Sequence, residues 1–241
     1  MSGHSKWSTI KRQKGVTDAK RGQVFTKLAN AITLAVKHGG ANIDPNSNFK
    51  LRLAMDKARS FNMPKDNIDR AIERGMGTGA HNTNFDEVMY EGFGQKGIVF
   101  IVEALTDNKN RTTSEVKNII EKNGGTLGSP GSVNYLFERK GELIFKKNAK
   151  SSDDILSIVL DAGGDDIEED EDNILVTTTP ENLQTVKQGL EERGVVIDSA
   201  QIVYKAKTVS EVDENIVEQS IAFLDKIEEQ DDVQNVYSNL P

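Results

Sequence analysis

The sequence predicts an α+β protein of three domains, an N-terminal three-helix domain followed by two α+β ferredoxin-like domains, one inserted in the other. Three observations predict it. Apolar residues recur at helical spacing through the first 80 residues. From residue 85 onward, short strand-like runs bounded by Gly, Asn and Asp alternate with helical segments. Within that second part, one stretch holds a complete βαββαβ succession, the split βαβ arrangement. The expected bounds are 1–80 for the helical domain, 81–139 plus 207–241 for a discontinuous α+β domain, and 140–206 for the insert.

The first helix is expected over residues 23–38, where Phe25, Leu28, Ile32 and Leu34 to Val36 share a face and Gly39–Gly40 stop the helix. A second runs from about Ser47 to Ser60, with Leu51, Ala54, Ala58 and Phe61 on one side. In MPKDNIDRAIERG, Pro64 suits a first helical turn, Ile68, Ala71 and Ile72 face inward, and Gly75 ends the helix. GMGTGAHNTN, residues 75–84, reads as a linker. Strands follow at 86–91 and 98–105, joined by GFGQKG. Thr112 to Glu115 (TTSE) has the form of a capping box and predicts a helix burying Val116, Ile119 and Ile120. Residues 132–138 read as another strand. The insert then reads as a strand (ELIFKK), a helix from Ser151 to Gly163, a hairpin reaching NILVTTT, a helix opened by Thr179 and Pro180, and a strand DSAQIVYKA. The tail predicts a helix from Asp213 to Glu229 and a short strand, VQNVYS, which supply what residues 85–138 lack.

Composition excludes several classes. With 36% hydrophobic and 28% charged residues the chain is of ordinary globular type. It has no cysteine, which removes disulfides, zinc–thiolate sites and cysteine-ligated clusters. The longest aliphatic and aromatic run, Ile98 to Val102, is far short of the roughly 20 residues of a membrane span. The basic start lacks the apolar stretch of a secretory signal, and Ser2 stands where myristoylation needs glycine, so a cytoplasmic location is expected.

Charge is distributed unevenly. Residues 1–80 hold 15 Lys and Arg against 6 Asp and Glu, a net of +9. Residues 81–241 hold 15 against 32, a net of −17. A basic end on an acidic body points to a polyanion partner.

The candidate motifs for chemistry are weak. GFGQKG formally matches G-x-G-x-x-G, but a strand rather than a helix follows, which favours a hairpin turn over a cofactor loop. DDIEEDED, Asp165 to Asp172, lacks the alternating ligands and central glycine of a calcium loop and reads as a solvated hairpin tip. The three histidines, His4, His38 and His81, form no HExxH or paired-histidine pattern, and no GxSxG occurs. No enzyme, metal, cofactor or small-molecule substrate is therefore expected.

The strongest signal is the basic cluster Lys6, Lys11, Arg12, Lys14, Lys20, Arg21 and Lys27, seven cations against Asp18 alone in the first 27 residues. Such a cluster neutralises phosphates and releases counterions. Trp7, the single tryptophan, lies inside it. Two readings of Trp7 fit: a ring that stacks on an unpaired base, or a clasp docked on the helical domain. TDNKNRT, Thr106 to Thr112, also has two readings: Asn108 and Arg111 bind phosphate beside a helix N-terminus, or Asp and Asn serve turn geometry. The candidate nucleic-acid contacts are thus His4, Lys6, Trp7, Lys11, Arg12, Lys14, Lys20, Arg21, Lys27, Asn108 and Arg111.

Taken together, GHSKW, DAKRGQVFTKL and NMPKDNIDRAIERG resemble the N-terminal domain of the YebC family. YEGFG, LTDNKNRT, GSVNYLFERKG and DDVQNVYSNL resemble its body. The resemblance spans nearly the whole chain, in order. It implies three domains, a cytoplasmic location, and a non-enzymatic role in gene expression without known cofactor. Two functions go with the family: DNA binding with transcriptional control, and translation, in which relatives that include a mitochondrial translational activator act at the ribosome, with bacterial members linked to relief of stalling at proline-rich stretches. The basic arm suits DNA or ribosomal RNA equally, and both partners stay open at the level of sequence. A helix reading the major groove needs several base-contacting side chains on one side. Lys50, Arg52, Lys57 and Arg59 in the second helix are the candidates for that, or else a solvated face.

Overall fold

The computed structural model describes residues 18–78, 85–147, 152–170 and 172–241. Among these residues there are seven α-helices and two four-stranded sheets, an α+β fold with a helical region first. The chain divides into two compact units. One takes the residues up to Ala54, Met63–Glu138 and Lys205–Pro241; the other takes Met55–Asn62 and Arg139–Tyr204.

Helices α1 (Asp18–His38), α2 (Phe49–Ser60) and α3 (Lys65–Gly75) open the chain. In α1, Leu28, Ile32, Ala35 and Val36 are buried, the i, i+4, i+7, i+8 stripe of an amphipathic helix. Helix α3 buries Ile68, Ala71 and Gly75. Gly75 lies hard against α1: a Cβ there would stand 2.6 Å from Val36 Cβ. Thr33 of α1 donates to Ala71 O at 3.0 Å, while Arg74 donates through Nε to Thr33 Oγ1 and through Nη2 to Asn30 Oδ1, both at 3.0 Å. The buried Asn48 starts α2. Its Oδ1 accepts from Leu51 N at 3.1 Å, and its Nδ2 donates to Ala35 O and Asn42 O. An N-cap asparagine satisfies a helix donor that burial would otherwise leave unpaired. Pro64 precedes α3, where its missing N–H costs nothing.

The first sheet has the order β3-β1-β2-β8, with every pairing antiparallel. Its strands are β1 (Asp86–Phe93), β2 (Val99–Thr106), β3 (Thr126–Leu127) and β8 (Val233–Ser238). Two helices, α4 (Lys109–Lys122) and α7 (Glu214–Glu228), cover one face. Tyr90, Ile98, Phe100, Val102 and Ala104 meet Val116 and Ile120 of α4 and Phe223, Leu224 and Ile227 of α7 there. Phe100 and Phe223 pack edge-to-face at 5.5 Å. GFGQKG is the turn between β1 and β2, with Lys96 and Gly97 both at positive φ (54° and 81°). Strand β8 comes from the tail and pairs along β2, from Phe100↔Ser238 to Ala104↔Val233.

The second sheet has the order β5-β6-β4-β7. It contains β4 (Phe137–Lys146), β5 (Asp166–Glu169), β6 (Asn173–Thr178) and β7 (Ile197–Ala206), with α5 (Ser152–Asp161) and α6 (Leu183–Glu192) between them. Strand β6 lies between β4 and the β5 that α5 connects to it, which is the split of the split βαβ motif. Ile155 and Val159 of α5, Leu183, Val186 and Leu190 of α6, and Leu143 and Leu175 of the strands are buried. The first sheet also has four antiparallel strands and two helices, but β1 passes straight into β2, and its last helix and strand arrive after the second sheet.

Several boundaries differ from expectation: α1 begins at Asp18 rather than at residue 23, α6 begins at Leu183 rather than at Thr179–Pro180, and two further differences have a cause in named side chains. Helix α4 begins at Lys109 rather than at Thr112, because Asn108 takes the extended N-cap conformation and its Oδ1 accepts from Arg111 N at 3.1 Å. The TTSE hydroxyls are inside the helix, and Ser114 bonds back to Asn110 O. Residues 132–136 are a loop ending in one 3-10 turn, and β4 is a single strand through Lys146. The cause is Glu91 of β1. Its buried carboxylate accepts from Gly131 N, Val133 N and Asn134 N at 2.5, 2.7 and 2.8 Å, so those N–H groups are withheld from a ladder. Burial alone raises a carboxyl pKa; the three backbone donors outweigh it and hold Glu91 below the usual carboxylate range.

Gly92 lies under the Phe100 ring, where a Cβ would meet ring atoms at 2.4 and 2.6 Å and Thr126 O at 3.0 Å. Phe100 is fully buried and cannot swing away. We expect Gly92→Ala to cost about 1–3 kcal/mol, read as a lowered midpoint in urea. An unchanged midpoint would mean that this sheet face repacks freely.

Candidate nucleic-acid interface

Of the residues expected to contact nucleic acid, His4, Lys6, Trp7, Lys11, Arg12 and Lys14 lie outside the described residues. Lys20 is in the first turn of α1, and Arg21 follows it on an exposed position. Of the other three, Lys27 and Arg111 face the acidic stretch formed by the end of α7 and the turn Gln230–Asp232 before β8, and Asn108 stands at the start of α4.

Lys27 is partly buried, and its Nζ donates to Glu228 O at 2.6 Å, at the C-terminal end of α7. Burial lowers its pKa, and Glu228, Asp231, Asp232 and Glu229 pull it back up. One turn earlier in α1, Gln23 Nε2 donates to Asp231 Oδ1 at 3.2 Å. A cation at the carboxyl end of a helix is favourably placed, because the carbonyls there are unsatisfied. Lys27 therefore fastens α1 to α7.

Arg111 is similarly engaged. One guanidinium nitrogen, Nη2, lies 2.9 Å from both Asp107 Oδ1 and Asp232 Oδ2. Hydrogen bonding and charge from Asp232 raise the Arg111 pKa. Asn108 is occupied as the α4 cap. Both residues are thus engaged at the turn and helix start.

At the centre is Asp232, whose side chain is only 13% exposed. Thr112 Oγ1 approaches its carboxylate at 2.6 Å, and an ionised carboxylate only accepts, so the Thr112 hydroxyl donates to it. Thr106 Oγ1, 2.7 Å from Thr112 Oγ1, must then donate to Thr112, and itself accepts from Asn108 N at 2.9 Å. The result is a directed chain from the Asn108 amide through two buried hydroxyls to the carboxylate. Burial acts to raise the Asp232 pKa, but the Thr112 and Arg111 bonds outweigh it and hold the pKa low. The Asp232 carbonyl accepts Leu105 N at 2.8 Å, which ties the turn to β2. Sequence reasoning missed Thr106, Thr112 and Asp232 as a unit. The only available signal was the presence of LTDNKNRT and DDVQNVYSNL in the same family pattern, since 120 residues separate Thr112 from Asp232.

In α2, Arg59 pairs with Asp56 at 3.2 Å, and the Arg52 guanidinium lies over the Phe49 ring. DDIEEDED forms the β5–β6 hairpin, whose turn is closed by Asp170 Oδ1 accepting from Asp172 N and Asn173 N. Among the described residues no group of three or more His, Cys, Asp or Glu side chains is placed to hold a metal ion. No helix there is long and apolar enough to cross a membrane.

A helical region followed by two four-stranded sheets, each carrying helices, defines the class as an α+β protein with a helical N-terminal part. The chain belongs to the TACO1/YebC family: the model of the TACO1/YebC N-terminal domain matches residues 5–78, and that of the second and third domains matches residues 85–240. It is 47% identical over 239 residues to a probable transcriptional regulatory protein of Rubrobacter xylanophilus, covering 99% of this chain and 95% of that one. A protein of the same description from Treponema denticola is 47% identical over 241 residues, covering 100% and 96%. Among solved structures, a conserved hypothetical protein from Aquifex aeolicus superposes with a TM-score of 0.84 at 40% identity, covering 93% of this chain and 91% of that one.

The lowered carboxylates carry a pH dependence. A group whose folded pKa lies below its unfolded value, about 3.9 for Asp, stabilises fully above that value and loses the contribution as pH falls through the folded pKa. We expect Asp232→Asn to lower stability at pH 7 by about 1–3 kcal/mol, and the gap from the unsubstituted protein to narrow as pH falls below about 4. Urea unfolding at both pH values checks this. A gap independent of pH would remove the charged network as the cause.

Proposed function

We propose that this chain is a non-enzymatic, cytoplasmic regulator of gene expression that binds nucleic acid through its basic N-terminal segment, with DNA as the partner in transcriptional control. The observation that carries the reading is the charge division, +6 over the first 27 residues against −17 over residues 81–241. It is supported by the names of the relatives, which are those of transcriptional regulators. The acids around Lys27 and Arg111 sharpen it. Lys27 and Arg111 have intramolecular partners, and the reading rests on the N-terminal run of Lys6, Lys11, Arg12, Lys14, Lys20 and Arg21, with His4 and Trp7 beside them, for its charge. The acidic body would restrict the orientations of docking by repelling phosphates over most of its surface.

A second reading, ribosomal RNA as the partner of a translation factor that relieves stalling at proline-rich stretches, is favoured by Trp7. A lone indole among lysines suits an unstacked RNA base better than a duplex groove. In α2, moreover, Arg59 pairs with Asp56 and the Arg52 guanidinium lies over the Phe49 ring. In-cell crosslinking with DNA and RNA sequenced in parallel separates the two. Promoter enrichment without ribosomal RNA rejects the translation reading, and the converse rejects the DNA reading.

We expect Lys11→Ala with Arg12→Ala to weaken binding and to flatten the dependence of log affinity on log salt by about one unit per lost phosphate contact. Unchanged affinity and slope would sink the basic-arm assignment. Trp7 fluorescence should be quenched by nucleic acid if the ring stacks, and Trp7→Ala should then weaken binding without lowering the melting temperature. Loss of stability first would mark the ring as a clasp on the helical domain.

A further inference from the structure

Tyr135 is 65% exposed. Scattered apolar side chains in solvent are normal, and Leu160 and Val196 are of that kind. Tyr135 differs in the framework beneath it. It sits in the 3-10 turn Asn134–Leu136, next to the fully buried Val133. The segment leading to it is gripped by the Glu91 carboxylate through Gly131 N, Val133 N and Asn134 N. From the other side Lys207 N donates to Leu136 O at 2.9 Å, and Lys207 Nζ donates to Tyr135 O at 2.8 Å. The backbone on both sides of the ring is therefore fixed, while the ring itself stands in solvent. An aromatic side chain loses little conformational entropy on binding, and a fixed backbone reduces the loss further.

The chemistry beside the ring is cationic. Lys207 is exposed, and an ammonium has three donors, of which Tyr135 O takes one. A flat ring with an adjoining ammonium is the pairing that single-stranded nucleic acid requires: a π-face for the base and a cation for the phosphate. A base stacked inside a duplex offers no face to such a ring.

We propose that Tyr135 and Lys207 form a second nucleic-acid contact, distinct from the N-terminal arm, in which the ring stacks on one unpaired base and the ammonium takes a neighbouring phosphate. The inference rests on the nucleic-acid reading above. Because every base has a π-face, the contact tolerates sequence and discriminates unpaired from paired strands.

The test uses the full chain and fluorescein-labelled oligonucleotides: an unpaired RNA, the DNA of the same sequence, and the RNA as a duplex. Anisotropy is measured for the unsubstituted protein, Tyr135→Ala, Tyr135→Phe, Lys207→Gln, and the Lys11→Ala/Arg12→Ala double variant. We expect Tyr135→Ala to weaken unpaired-strand binding about 5- to 150-fold with the duplex unaffected and the melting temperature unchanged. Tyr135→Phe should bind normally, and Lys207→Gln should weaken binding and reduce the salt slope by about one. Equal losses on RNA and DNA identify the base face as the target, and a loss on one strand type alone shows that the sugar is also read; either supports the contact. If Tyr135→Ala binds unpaired strands as the unsubstituted protein does while the arm variant is impaired, the Tyr135 contact is overturned and the arm reading stands; Tyr135 then serves a protein partner or none. If the unsubstituted protein binds none of the three, the Tyr135 contact is overturned.

Discussion

At the turn Gln230–Asp232 one carboxylate holds together lengths of chain that are far apart in sequence. Asp232 accepts from Thr112 and Arg111 at the start of α4, and its carbonyl holds Leu105 at the end of β2. It also contributes to the negative field that holds Lys27 of α1. The helix that packs on the first sheet and the strand that completes it lie on either side of this turn. A buried carboxylate is costly unless its lone pairs are filled, and here hydroxyl and guanidinium donors fill them. The tail thus has one seat, and the edge strand β8 is placed by the same contact.

The same physics acts at Glu91, with the opposite purpose. Asp232 gathers secondary-structure elements, whereas Glu91 gathers a loop and keeps it out of a sheet. Its three backbone donors are groups that would otherwise have sought a strand partner. That explains why GSVNYLF, with its strand-like composition, is a loop ending in a 3-10 turn, and why an aromatic ring is left on its outside. In both places an acidic side chain is used for architecture. The negative charge of the body is therefore not all solvated surface; part of it is spent on internal cations and amides, which leaves the N-terminal segment as the cationic end of the chain.

This arrangement bears on how the protein meets a polyanion. A guanidinium at a helix N-terminus in LTDNKNRT looks like a phosphate site, but Asp107 and Asp232 already supply its anion. Lys27 is likewise committed to the carboxyl end of α7. Displacing either would expose a buried carboxylate or an unsatisfied carbonyl, which opposes phosphate binding there.

The sequence by itself determined the fold class, the helices and the hairpin role of GFGQKG, because each rests on local periodicity, turn chemistry and short-range sterics. Charge asymmetry and the family pattern were legible for the same reason: both are properties of composition and order. Only the tertiary structure decided that Asn108, not TTSE, caps α4, that residues 132–136 leave the sheet, and that Lys27 and Arg111 face acids. The loop and the cations depend on partners from distant sequence, Glu91 for the loop and the acids from Glu228 to Asp232 for the cations, whereas the cap is a local choice between two competing N-cap sequences. A side chain's charge can be read from sequence, but whether that charge is already neutralised depends on what the fold places within 3 Å of it.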